Sequence, residues 1–261
     1  MIRGIWNRET IAWMLVGALL PVLAALLTER GTEAGLRVLI GLAVIGFWQL
    51  VFLIARGQPP SAAGAVTAVA VAVLAPGEVA VWQLALALSF GTVIGELVFG
   101  GWGRNVLNGA VVTLAFLYFG FPEIQHAPAG SMIALASGLS AILLVATGIV
   151  SWRALTGAVL VLLAVAASFG AEIAGFAFGG SLVFGLVFLA CDPVASAATN
   201  PGRWVYGGLT GGLAALFGWA GDGFGAPQTI VFATLLGSLF APLIDHAVIA
   251  IGTRQRRRPH G

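Results

Sequence analysis

The chain has 261 residues, 59% of them hydrophobic and only 8% charged, with a mean hydropathy of +1.02. A soluble domain carries roughly 25% charged residues, so a soluble fold is excluded and an all-α polytopic membrane protein is predicted. The net charge is +2, lysine is absent, and the lone Cys191 excludes an intrachain disulfide and any all-cysteine metal site.

A hydrocarbon core about 30 Å thick takes roughly 20 helical residues, fewer where helices break. Ten apolar segments satisfy this, near 11–27, 36–55, 61–75, 80–98, 108–121, 132–150, 155–171, 176–190, 204–220 and 228–251. The first, Ile11–Leu27, lacks a small-residue cleavage site and reads as a span rather than a signal sequence. With both termini cytoplasmic, the inner side holds Arg3, Arg8, Arg56, Arg104, Arg153, Arg203 and the four arginines of Arg254-Gln-Arg-Arg-Arg258, whereas the outer loops hold only Arg30 and Arg37. That positive-inside bias fits ten spans in a bacterial-type inner membrane. The arginine run, which in a soluble protein would suggest nucleic acid, reads here as an anchor at the inner face. The expectation is one transmembrane domain over residues 1–261, with halves at about 11–121 and 132–251 and a basic cytoplasmic tail at 252–261.

Segments three and eight stand apart. Ser61–Pro76 and Gly179–Pro193 are both short and both stop at proline, and they lie five spans apart, at corresponding positions in two inverted five-helix halves. Paired short segments of this kind point to a central binding site. In segment nine, Gly207-Gly-Leu-Thr-Gly-Gly212 reads as small-residue helix packing.

Most of the polar chemistry sits in two loops, Phe99-Gly-Gly-Trp-Gly-Arg-Asn-Val-Leu-Asn108 and Asp192-Pro-Val-Ala-Ser-Ala-Ala-Thr-Asn-Pro-Gly-Arg203. The glycines, Gly103 among them, allow positive φ and close approach of backbone to a ligand. Asn105 and Asn108 share a face if a helix begins there, and each offers donors and an acceptor to the edge of a flat heteroaromatic ring. Equally, either asparagine can serve as a helix N-cap. Asp192 can accept from a ligand N–H or hydroxyl, or pair with Arg104 or Arg203. Thr199 and Asn200 read mainly as turn chemistry. Glu96 and Glu172 end long apolar runs and are candidates for ion or proton transfer, but the favoured reading places both close enough to an interface to reach water. Asp245-His246 could relay protons, but a locally satisfied pair at the Pro242 kink is favoured. Cys191 reads as a small packing residue at a helix end. No metal-ligand cluster, nucleotide-binding fingerprint or nucleophile–base constellation is present in the sequence.

Taken with their spacing, these loops resemble two related membrane proteins of ion-motive flavoenzymes. One is NqrB, of the sodium-translocating NADH:quinone oxidoreductase, and the other is RnfD, of the Rnf electron-transport complex. The matching stretches are Phe99–Asn108, Asp192–Ser196 running to Thr199–Gly207, Leu239-Phe-Ala-Pro-Leu-Ile-Asp-His246, and Val66-Thr67. The resemblance implies ten spans in two halves with riboflavin held noncovalently between them, its contacts carried over to Thr67, Asn105, Asn108 and Asp192, with Gly103 beside them. The family's second flavin, an FMN linked to a threonine, has no counterpart. Aligned on Gly130, Met132 stands at the threonine position and His126 at that of the family's aspartate, so covalent FMN is expected to be absent and Ser131 is a poor substitute. The leading expectation is a redox subunit of an ion-motive electron-transport complex, relaying electrons between partner subunits, with no self-contained catalytic site. The alternatives are a flavin or small-molecule transporter without redox chemistry, and a ligand-free scaffold.

Overall fold

The computed structural model describes residues 7–123, 128–171, 179–221 and 223–256, which are helical with no strand among them. The first two predicted spans lie in one continuous helix, α1 (Arg8–Arg56), in which Gly31 alone leaves helical geometry at φ 65° and ψ −152°. A straight helix of 49 residues would run about 74 Å, more than twice the hydrocarbon thickness. Instead Gly31 turns the chain back. Glu9, near the start, accepts from the Ser61 hydroxyl and Ala62 N–H, and Gln49, near the end, donates to the Ser61 carbonyl. The two arms therefore run antiparallel, with Arg8 and Arg56 at one end of the bundle and Glu29, Arg30 and Arg37 at the other.

The remaining helices are α2 (Ala63–Leu74), α3 (Val81–Gly95), α4 (Gly109–Gly120), α5 (Ser131–Ala146), α6 (Trp152–Ser168), α7 (Gly180–Phe184, continued by a π turn over Gly185–Ala190), α8 (Asn200–Ala220) and α9 (Pro227–Arg256). Each of the ten apolar segments is thus represented. Arg8–Arg56, Val81–Phe99 and Pro227–Thr253 are long and apolar enough to cross a membrane, and large apolar side chains such as Leu20, Ile54, Leu135, Ile142 and Leu243 face outward. Such an apolar exterior belongs in lipid, and the protein is a multi-pass membrane protein.

The two short segments are central, as predicted. Every residue of α2 except Ala65 is buried, and α7 with its π turn is buried nearly throughout. A helix that stops inside a bundle leaves its last carbonyls without partners. The chain has two tyrosines, both buried, and they resolve this at both stops. The Tyr118 hydroxyl donates to the Leu74 carbonyl and the Tyr206 hydroxyl to the Ala190 carbonyl, each at 2.8 Å. Arg30 donates to the Ala72 carbonyl, and Arg37 to those of Pro76 and Gly77. The two exceptions to the positive-inside pattern are therefore caps on the end of α2 rather than free loop charges.

Removing either hydroxyl, as Tyr118→Phe or Tyr206→Phe, leaves a buried carbonyl bare, at about 1–3 kcal/mol. Each variant is expected to unfold at lower temperature in detergent. An unchanged melting temperature would mean that water reaches the carbonyl instead.

Helix contacts elsewhere are made by small residues. A Cβ on Gly91 of α3 would overlap Thr113 of α4, and one on Gly207 or Gly211 of α8 would overlap the Ala154 or Ala158 carbonyl of α6. The predicted packing role of Gly207–Gly212 is borne out at these two positions.

Candidate functional site

At the arginine-rich end of the bundle, the two short segments and the glycine loop meet around one enclosed space. It is lined by Thr67 of α2, Glu96, Trp102, Asn105, Asn108, Gly109, Asp192 and Pro193, with Leu15, Val187 and Phe188 closing it as apolar walls. The segments expected to form the site thus converge from both halves of the chain.

The glycine loop is shaped by backbone that only glycine adopts easily. Gly100, Gly101 and Gly103 have φ of 107°, 88° and 93°. Asn105 holds the loop closed, since its Oδ1 accepts from the Gly103 N–H at 3.1 Å and its Nδ2 donates to the Leu107 carbonyl at 2.7 Å. The helix begins later than Asn105. Asn108 is the N-cap of α4, and its Oδ1 accepts from the N–H groups of Ala110 and Val111. The two asparagines therefore do not share a helical face, and the capping reading holds for Asn108. Its Nδ2, on the far side of the amide, donates to Asp192 at 2.6 Å.

Asp192 joins the halves. Besides Asn108, it accepts from the N–H groups of Val194 and Ala195 at 2.7 and 3.1 Å, closing the turn that follows α7. Its pairing with Arg104 or Arg203 is not found among the described residues; Arg203 donates instead to the Ala197 carbonyl. Burial raises the Asp192 carboxyl above the usual carboxylate range, while the Val194 and Ala195 N–H groups and the Asn108 amide act in the opposite sense.

Thr67 is 8% exposed, and its hydroxyl makes no hydrogen bond with any described residue. Glu96 overturns its expectation. Rather than reaching water it is 4% exposed and lines the cavity. The reason is local: the α-helix ends at Gly95, and Glu96 leaves helical geometry at φ −131° and ψ −59° as the chain enters a short 3₁₀ turn, Leu97–Phe99.

Of the other candidates, Cys191 lines the same cavity, and the other described ones lie elsewhere. Asp245 accepts from the Ala198 and Thr199 N–H groups and from the Thr199 hydroxyl, so its partners are in the second loop rather than at His246. Thr199 in turn caps α8 through the Gly202 N–H. Cys191 is buried at the end of the π turn, as a packing residue would be. Met132 and Ser131 open α5 at the opposite end of the bundle, where Glu29 accepts from the Gly130 and Ile133 N–H groups. His126 and Glu172 lie outside the described residues.

The model of the NQR2, RnfD, RnfE family matches residues 2–127 and 124–252 of the chain. The chain belongs to this family. The two matched stretches overlap at residues 124–127, between α4 and α5. Among relatives, the NqrB protein of the Na(+)-translocating NADH-quinone reductase of Stutzerimonas stutzeri is 31% identical over 267 residues, covering 81% of this chain and 66% of the relative. The NqrB proteins of Chromohalobacter salexigens and Yersinia pestis are 31% and 29% identical, covering 84% and 81% of this chain. The chain spans 66%, 66% and 65% of the length of these three relatives.

The donor set suits a flavin by its chemistry, because amides, a hydroxyl and carboxylates can meet the edge of a heteroaromatic ring and its polyol. The space does not yet accommodate one. The cavity measures about 20 Å³, room for roughly one water molecule.

Proposed function

We propose that this chain is the membrane subunit of an electron-transport complex of the Nqr and Rnf kind, and that it holds riboflavin, or another flavin, noncovalently between its halves. The observation that carries this reading is the convergence of Thr67, Asn105, Asn108 and Asp192, from segments far apart in sequence, around one cavity in a chain of this family, with Gly103 held beside it by Asn105. A flavin bound there supplies electron-transfer chemistry that the chain's own side chains lack. The residues hold and orient it. Thr67 would offer a hydroxyl, Asn105 and Asn108 would keep the glycine loop and the start of α4 in shape beside it, and Asp192 would tie that loop to the segment after α7. Other membrane and peripheral subunits would deliver and remove the electrons, coupled to ion movement. The arginine bias supports cytoplasmic termini and a site near the inner face of the inner membrane. Met132, which has no hydroxyl, stands where a covalent FMN would require a threonine.

The test is the visible absorption spectrum of the purified protein, repeated on pellet and supernatant after acid precipitation. Flavin released into the supernatant is the expected result. Flavin retained in the pellet would contradict noncovalent binding, and a colourless protein would remove the flavin reading. Flavin in a protein that copurifies with no partner protein would move the weight to a flavin transporter.

A further inference from the structure

Glu96 is used by nothing in the reading above, although a carboxylate at this depth is costly to keep. Burying an ionisable group without a compensating partner is strongly unfavourable, so such groups mark functional positions. Among the described residues the one ion pair is Arg8–Glu9, at 3.1 Å. Glu96 therefore has no cationic partner there. Arg8, Glu9 and Asp192 are the charged groups near enough to act on it, and Arg8 is already engaged with Glu9 and the Trp102 carbonyl. The backbone N–H of Trp102 is the polar group of the loop that acts on the Glu96 carboxylate.

A second observation marks the same spot. A Cβ built on Gly109 would lie 3.6 Å from Glu96 Oε2 and 3.7 Å from Thr67 Oγ1. The absent side chain at Gly109 thus leaves a gap between the buried carboxylate and the one unpartnered hydroxyl on the cavity wall. Among the other polar groups of the wall, Asp192 already accepts from three donors, and both asparagine amides are engaged in the loop and the cap. The Glu96 carboxylate remains as an acceptor facing the space.

We propose that Glu96 is a ligand-facing residue of this cavity and accepts a hydrogen bond from an N–H or hydroxyl group of the bound flavin. This rests on the flavin reading above. A flavin carries two kinds of donor, the imide N–H of its ring and the hydroxyls of its ribityl chain, and either can meet the Glu96 carboxylate. Glu96 then sets affinity for the donor edge of the ligand, Thr67 completes the contact, and Gly109 keeps the gap open.

The test is titration of detergent-solubilised, flavin-free protein with riboflavin, followed by quenching of riboflavin fluorescence. Leaving one partner of a buried hydrogen bond unsatisfied is costly. Glu96→Ala is therefore expected to raise Kd at least tenfold, and the near-isosteric Glu96→Gln severalfold. Glu96→Gln keeps the proposal testable if the alanine variant does not fold. Lumiflavin, which lacks the ribityl chain, separates the two donors. An equal loss with lumiflavin assigns the ring imide, and a loss seen only with riboflavin assigns a ribityl hydroxyl. Wild-type binding with both Glu96 variants within twofold of it would overturn the role of Glu96 and leave the flavin site standing. No binding by wild-type protein would overturn both.

Discussion

Asp192→Ala is expected to empty the site and loosen the fold around it in one step. The carboxylate gathers the Asn108 amide from one half of the chain and the Val194 and Ala195 N–H groups from the other. Deleting it leaves three donors unpaired, two of them buried and that of Val194 partly so. Each costs about 1–3 kcal/mol, and even with partial relaxation the sum is several kcal/mol, a large share of the stability of a single domain. Asp192→Asn retains one oxygen and should fall between wild type and alanine. The measurements are flavin per polypeptide and thermal unfolding in detergent, taken on the same preparations. Asn105→Ala supplies the comparison, because Asn105 braces the loop without bridging the halves. It should lower flavin content with a smaller loss of stability. Unchanged flavin content in both variants would sink the assignment of the site.

These predictions rest on features that are unevenly legible in the sequence. The ten apolar segments, the two short ones and the packing glycines follow from hydropathy, proline position and residue size, and these survive folding because lipid enforces them. The convergence on one cavity is legible only through the spacing of the two loops. Which group pairs with which is not. Asp192 has an arginine on each of the two loops, and charge alone favours an ion pair. The chain instead uses Asn108, because that amide is presented by the N-cap geometry of α4, a consequence of where the helix starts. Glu96 escapes the sequence for a similar reason. Its position at the end of an apolar run suggests an interface, and only the short 3₁₀ turn after Gly95 swings it inward. Arg30 and Arg37 look like loop charges until the truncated α2 is seen to need caps. The signal is present in the two tyrosines, the only ones in the chain, but their targets are carbonyls, which every residue carries.

The second large effect is expected at α8, where neighbouring glycines should answer the same substitution in opposite ways. Gly207→Ala and Gly211→Ala place a methyl into the backbone of α6, onto the carbonyls of Ala154 and Ala158, which cannot rotate aside as a side chain can. Gly208→Ala and Gly212→Ala meet only the side chain of Val161, at 3.3 and 3.5 Å. In lipid no hydrophobic force presses helices together, so close backbone approach between small residues supplies much of their attraction. Forcing α6 and α8 apart therefore removes contact along the whole pair as well as adding the overlap itself. Overpacking alone costs about 1–3 kcal/mol per site, and the double variant Gly207→Ala with Gly211→Ala should lose most of its folded yield by size-exclusion chromatography in detergent. At Gly212, where contact is ordinary, alanine recovers up to about 1 kcal/mol of helix propensity and should leave stability unchanged or slightly raised. Equal behaviour of the two pairs would mean that α6 and α8 do not meet through this face. Because Tyr206, which caps the end of α7 through the Ala190 carbonyl, directly precedes Gly207, displacement of α8 should also draw that cap away from the turn that carries Asp192. Loss of flavin in the Gly207 and Gly211 variants, retained in those at Gly208 and Gly212, is the expected consequence.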